Sequence, residues 1–214
     1  MSNKEYMSIN DEEISFIINQ NKIQCNFNKD NNIIREAWDK PSTRNIECLM
    51  GYACGYKLIH SKQDGIDLKY NENDNIYGEV KSININSKKF EFDVRATKNV
   101  IEKYINKRLW FIASLWDATK CYSCAMLIGK YDDMKYDMVR QYKKHINNLT
   151  KEKYCTFTLP HLINDLNFKV ISMYESRKSV FSLLKNAHRN LNLKCEDIIP
   201  YETFVDNVNT YFDY

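Results

Sequence analysis

"QDGIDLKYNENDNIYGEVKS", residues 63–82, decides how this chain reads. Ile66, Leu68 and Tyr70 alternate with Asp67 and Lys69, the pattern of a strand with one buried face. Residues 77–83 read as its antiparallel partner, and the polar segment 71–75 joins the two as a five-residue hairpin loop. Side chains along a strand alternate faces, and directly paired residues share one. Closing the hairpin with Tyr70 opposite Ile76 sets Asp67 opposite Glu79, with Lys81 two residues further along the same face. In that register Ile66, Leu68, Tyr70 and Val80 point the other way, toward a core. Asp64 lies three residues before Asp67 and is opposite in phase if the strand reaches that far.

The flanks supply the rest of a fold. Upstream, Pro41, Ser42 and Thr43 signal a helix start. Ile46, Leu49, Met50 and Ala53 then recur at i, i+3, i+4 and i+7, an apolar stripe that ends at Gly55 or in residues 55–60. Downstream, Val94, Thr97, Val100, Ile101, Tyr104 and Ile105 predict one face of a helix, with Lys98, Lys103 and Lys107 on its solvated side. "LWFIASLW" (109–116) is almost continuously apolar, as in a central strand covered on both faces, and "CAMLIG" (124–129) reads as a second such strand. A short helix is expected over 9–20, a polar helix over 134–148, a strand and a turn at Pro160 in "CTFTLPHLI" (155–163), and helices over 173–191 and 201–211. This order predicts an α/β fold, a mixed central sheet flanked by helices. It is read as one domain, 1–214, with a core over about 40–165 and a helical C-terminal elaboration over about 166–214.

Composition agrees with a packed domain. Of 214 residues 43% are hydrophobic, and 15 Tyr, 10 Phe and 3 Trp supply bulk, so wholesale disorder is not expected. Five Gly and three Pro are too few for a turn-rich β-sandwich. The net charge of +3 permits a polyanionic partner without requiring one. No apolar run reaches the ~18 residues of a membrane span, and the polar N-terminus is unlike a signal peptide. The seven dispersed Cys then read as reduced thiols. A cytoplasmic location follows as the expectation, in a prokaryotic or phage-encoded setting.

Asp67, Glu79 and Lys81 on one surface suit phosphodiester hydrolysis. That reaction needs phosphate charge neutralised, a hydroxide made near neutral pH and a stabilised leaving oxygen. Mg²⁺ held by one or two carboxylates serves all three needs. A neighbouring ammonium orients the attacking water or helps deprotonate it, and Lys suits the role because its pKa is tunable. Taken alone, the same residues also suit ordinary cross-strand pairing at a solvated surface.

The layout resembles the PD-(D/E)xK nuclease superfamily, whose fold is called restriction-endonuclease-like. There a helix precedes a hairpin, one strand carries the metal-binding Asp, and the next carries (D/E)xK. The matching pieces are "RNIECLMGYACGYK" (44–57), "DGIDL" (64–68) and "YGEVKS" (77–82), followed by a helix and the apolar strand 109–116. Gly-Ile-Asp looks most like the Mrr-type branch, which favours Asp67. Gln63-Asp64 stands where many members have Pro-Asp, and this leaves the metal ligand open between Asp64 and Asp67. Glu47 occupies the position from which some members add a helix-borne ligand. The resemblance covers about residues 44–130. It implies a Mg²⁺-dependent (or Mn²⁺-supported) endodeoxyribonuclease with Asp67 and Glu79 on the metal and Lys81 at the water. The first form expected is a homodimeric type II restriction endonuclease on double-stranded DNA. A junction-resolving, repair or phage-type nuclease and a non-catalytic nucleic-acid-binding module are the alternatives.

Further basic residues are candidates for DNA contact: Lys88, Lys89 and Arg95 after the hairpin, and Arg177, Lys178, Lys185 and Arg189 in "SRKSVFSLLKNAHRN" (176–190). Cys121 and Cys124 form a lone CxxC without a second pair, so they are read as structural thiols. "KYDDMKYDM" (130–138) lacks an EF-hand pattern and reads as a helix start.

Overall fold

The computed structural model describes residues 6–7, 12, 16, 19, 20, 23, 43–59, 66–70, 75–87, 89–117 and 122–212. The strand pairing expected from the sequence is present, and residues 71–74 of the expected loop lie outside the described residues. β3 (Leu68–Tyr70) pairs antiparallel with β4 (Ile76–Asn84), with Leu68 opposite Gly78 and Lys69 opposite Tyr77. That is the register in which Tyr70 meets Ile76. The pair sits in an eight-stranded mixed sheet, ordered by residues as 6–7, 56–59, 68–70, 76–84, 108–117, 122–130, 169–172 and 199–200. β1 (Tyr6–Met7) and β2 (Tyr56–Ile59) continue the antiparallel side beyond β3. β6 (Arg108–Asp117) runs parallel to β4, and β7 (Tyr122–Lys130) returns antiparallel to β6.

Helices cover both faces. α1 (Thr43–Ala53) stops at Gly55, whose φ of +71° is open to glycine at little cost. α2 (Lys98–Ile105) is the crossover between the parallel strands β4 and β6, a connection that a tight turn could not make. α3 (Tyr131–Ile146) follows β7 directly, with Asp132 and Asp133 in its first turn and Lys143, Lys144 and His145 in its last, as the helix dipole favours. One apolar layer joins Leu109, Phe111, Ala113 and Leu115 of β6 to Tyr104, Tyr131 and Met134. The other joins Trp110, Ile112 and Trp116 to Ile46, Met50, Phe204 and Phe212. The apolar run 109–116 is therefore the midplane of three layers. Each Leu- or Phe-sized side chain buried there contributes about 1.5–3 kcal/mol.

Several expectations are corrected. Residues 56–59 form a strand rather than the tail of α1. Val94 lies on β5 (Glu91–Arg95), so the helix begins only at Lys98. β5 pairs with β8 (Tyr154–Thr158) as a separate two-stranded ribbon. Pro160 leads into a single π-helical turn, His161–Asp165. The C-terminal part is not wholly helical. β9 (Lys169–Ser172) pairs with β7, and β10 (Ile199–Pro200) pairs parallel to β9, so this segment completes the central sheet. α4 (Arg177–Ala187) is capped by Ser176, whose hydroxyl accepts from the Ser179 N–H. α5 (Tyr201–Asp206) and α6 (Val208–Phe212) close the second apolar layer, and Tyr70 donates its hydroxyl to the Asn209 side chain. Of the expected helix over 9–20, only Glu12, Phe16, Asn19 and Gln20 are described, all helical; the rest lies outside the described residues.

The join between β7 and the C-terminal segment gives a test. A Cβ on Gly129 would overlap the Phe168 ring, which is itself buried. Gly129→Ala is expected to destabilise the protein by about 1–3 kcal/mol in chemical denaturation, the usual cost of overpacking. Phe168→Leu in the same chain should recover part of that loss.

Candidate functional site

Asp67 stands one residue before β3, where that strand leaves β4. Its backbone N–H still donates to the Gly78 carbonyl at 3.1 Å. Its side chain then does what the next stretch of strand would otherwise do, and Oδ2 accepts from the Val80 N–H at 2.7 Å. The two strands part there. Glu79 and Lys81 lie on β4 two residues apart and so share a face. Lys81 Nζ is 2.6 Å from Glu79 Oε1. Ile66 departs from the simple alternation. It packs with the layer of Leu109 and Phe111, whereas Leu68, Tyr70 and Val80 pack in the opposite layer.

The electrostatics centre on Glu79. It is only 7% exposed, beside the fully buried Phe111 across the parallel ladder. Burial pushes its carboxyl up to about 7; the Lys81 ammonium pulls down, and the Asp67 charge adds a further push up. Oε2 is buried and makes no hydrogen bond of normal geometry. Tyr104 of α2 stands against the same carboxylate, and burial followed by the Glu79 charge holds its phenol neutral well above the usual range. Tyr104 was legible in the sequence only as part of an apolar stripe, because periodicity carries no information about where a hydroxyl ends up.

Lys81 also lines a cleft of about 310 Å³ between α1, β4 and β5. Its walls are Ile46, Val80, Lys81, Ser82, Glu91, Phe92 and Asp93. Glu91 and Asp93 were not singled out from the sequence, although "EFDVR" (91–95) alternates polar and apolar as a half-buried strand does. Asp93 is oriented by the Thr156 hydroxyl, which donates to Oδ1 at 2.6 Å across the ribbon.

The other candidates fall in different places. Glu47 is buried on α1, next to the cleft-lining Ile46. Asp64 and Lys88 lie outside the described residues. Lys89 is exposed and 3.5 Å from Glu91. Arg95 donates to the Tyr154 hydroxyl at 3.1 Å, with its guanidinium over that ring. Arg177 and Lys178 are exposed at the start of α4, and Arg189 is exposed just beyond its end. Lys185 instead donates to the Leu191 carbonyl at 2.6 Å and ties down the chain after α4. Cys121 is outside the described residues. Cys124 is buried with Sγ on the Leu115 carbonyl, and burial pushes its thiol up to about 12, as befits a structural thiol. Among the described residues no three of His, Cys, Asp and Glu make a metal-holding group. No helix among them is long and apolar enough to cross a membrane.

The sequence matches no family model and no curated protein.

A buried carboxyl with a raised pKa binds its proton more tightly in the folded than in the unfolded state. Metal-free stability therefore falls as pH rises from the ordinary glutamate range, near 4.5, through about 7. Glu79→Gln is expected to raise the melting temperature above that of wild type at about pH 8, with the gain vanishing toward about pH 4.5. Thermal melts across that range in the presence of a chelator measure the difference.

Proposed function

We propose that this chain is a Mg²⁺-dependent endodeoxyribonuclease on the PD-(D/E)xK plan, in its specific form a homodimeric type II restriction endonuclease. The observation that carries the proposal is the meeting of Asp67, Glu79 and Lys81 where β3 parts from β4. The order helix, strand, hairpin, crossover helix and apolar parallel strand supports it. The residues fit a divalent cation. Glu79 offers a buried carboxylate beside the Lys81 ammonium and the Tyr104 phenol, and Mg²⁺ needs only one or two carboxylates when waters and phosphate oxygens complete its shell. Asp67 and Glu79 would hold the ion, with Glu47 as a candidate helper and Mn²⁺ as a substitute.

When bound, the ion would neutralise phosphate charge and acidify a water. The chain's own residues do the remainder. Lys81 is held at the cleft edge by its Glu79 contact, where its remaining N–H groups would orient a water or hold a phosphate oxygen. Buried Phe111 and Ala113 behind Glu79 and Lys81 exclude bulk water from one side and strengthen these charges. A palindromic target would match a two-fold dimer.

Nicking of supercoiled plasmid in Mg²⁺ tests the proposal. Wild type is expected to cut, and Lys81→Ala and Glu79→Ala to lose at least about 100-fold in rate. Asp67→Asn should lose as much, while Asp64→Asn should keep activity. Wild-type cleavage that survives both the Lys81 and Glu79 substitutions sinks the site. Discrete fragments from wild type mark the restriction form, and DNA binding without cutting marks a non-catalytic module.

A further inference from the structure

One stretch of this chain carries a local excess of positive charge. Residues 140–154 hold Arg140, Lys143, Lys144, Lys151 and Lys153 against the single carboxylate of Glu152, so this short stretch alone exceeds the +3 of the whole chain. Tertiary contacts gather it into one ridge. Gln141 Nε2 donates to the Glu152 carbonyl, the Leu149 N–H donates to the Lys144 carbonyl, and the Ala96 N–H donates to the Lys153 carbonyl at 2.7 Å. Asn148, with φ of +56°, reverses the chain between the two lysine pairs. Glu152 is turned to its own backbone, accepting from the Tyr154 N–H at 3.1 Å. Among the described residues, none of Lys143, Lys144, Lys151 and Lys153 has a carboxylate at ion-pair distance, and all four are exposed. Of the other exposed lysines among the described residues, Lys89 and Lys98 have such partners and Lys169 and Lys178 do not, so what marks the ridge is its density of charge.

The helix dipole alone would account for Lys143 and Lys144, but it falls off within the last turn and leaves Lys151 and Lys153 unexplained. The ridge is also connected to the cleft. Arg95 pairs with Tyr154 on the ribbon and shares the exposed face of Asp93, two residues or about 7 Å along the strand. We infer that this ridge is the tracking surface for the phosphate backbone of duplex DNA. Lys143, Lys144, Lys151 and Lys153 contact successive phosphates, and Arg95, held by Tyr154, hands the strand on to the cleft. Contacts of this kind carry affinity and position rather than sequence information. The inference rests on the nuclease reading only in taking DNA as the polyanion.

The test is the salt dependence of binding to a random-sequence DNA duplex, measured without divalent cation so that nothing is cut. Each phosphate contact adds about 0.9 to the slope of log affinity against log salt. Replacing Lys143, Lys144, Lys151 and Lys153 together with Gln is expected to lower the slope by about 2–4 and the affinity at moderate salt by at least about tenfold. Because the four side chains make no buried contact, the melting temperature should stay that of wild type. An unchanged slope, no DNA binding by wild type, or equal loss on replacing Arg177, Lys178 and Arg189 instead would overturn the ridge. A slope lowered by the four replacements, in a protein whose wild type does not cut DNA, keeps the ridge and sinks the nuclease reading. Cutting with an unchanged slope does the reverse.

Discussion

Nine consecutive residue pairs bind β4 to β6 in parallel, and most of the architecture follows from that pairing. A parallel neighbour needs a crossover, so α2 must leave one end of β4 and return the chain to the other. β6 is buried on both faces, so each face needs its own layer of helices. The alternation of β4 is then set by β6. Ile76 and Val80 must join one apolar layer, and Tyr77, Glu79, Lys81 and Ile83 must share the other face. A carboxylate is thereby carried into a region where its charge is expensive, with an ammonium two residues away to offset it.

The parting of β3 and β4 opens that strand to a cleft. A paired edge would hide β4 behind a neighbour. Here the Asp67 side chain takes the Val80 amide, which ends the ladder without leaving a buried N–H unsatisfied. Beyond that point β4 borders a cleft, and β5 folds back to wall it. The second carboxylate of the site thus has two roles. It closes a strand end, and it stands next to Glu79, where its charge raises the Glu79 pKa further.

Much of this was legible in the residues. The alternation in 66–70 and 77–83 and the polar loop between them were enough to set the hairpin register, since a slip of one residue would have sent Leu68 and Val80 to the wrong face. Less legible were short elements whose patterns compete. Residues 56–59 form only a four-residue strand just after the helix-ending Gly55, and Val94 has the spacing of both a strand and the helix after it. β9 and β10 are four and two residues long, too short for periodicity to separate from a loop.

By itself the sequence determined the elements with a long, consistent pattern: the hairpin, the two-faced strand 109–116, its neighbour 124–129 and the helices around them. It also determined that Glu79 and Lys81 share one face, because a strand has period two. Tertiary structure alone decided how deeply Glu79 is buried, that Tyr104 stands against it, that Glu91 and Asp93 wall the cleft, and that the lysines around Asn148 form one ridge. The reason is physical. Local patterns report which side of an element faces the core. Burial of a charge and contacts between distant segments depend on which elements pack together, and that information is spread over the whole chain.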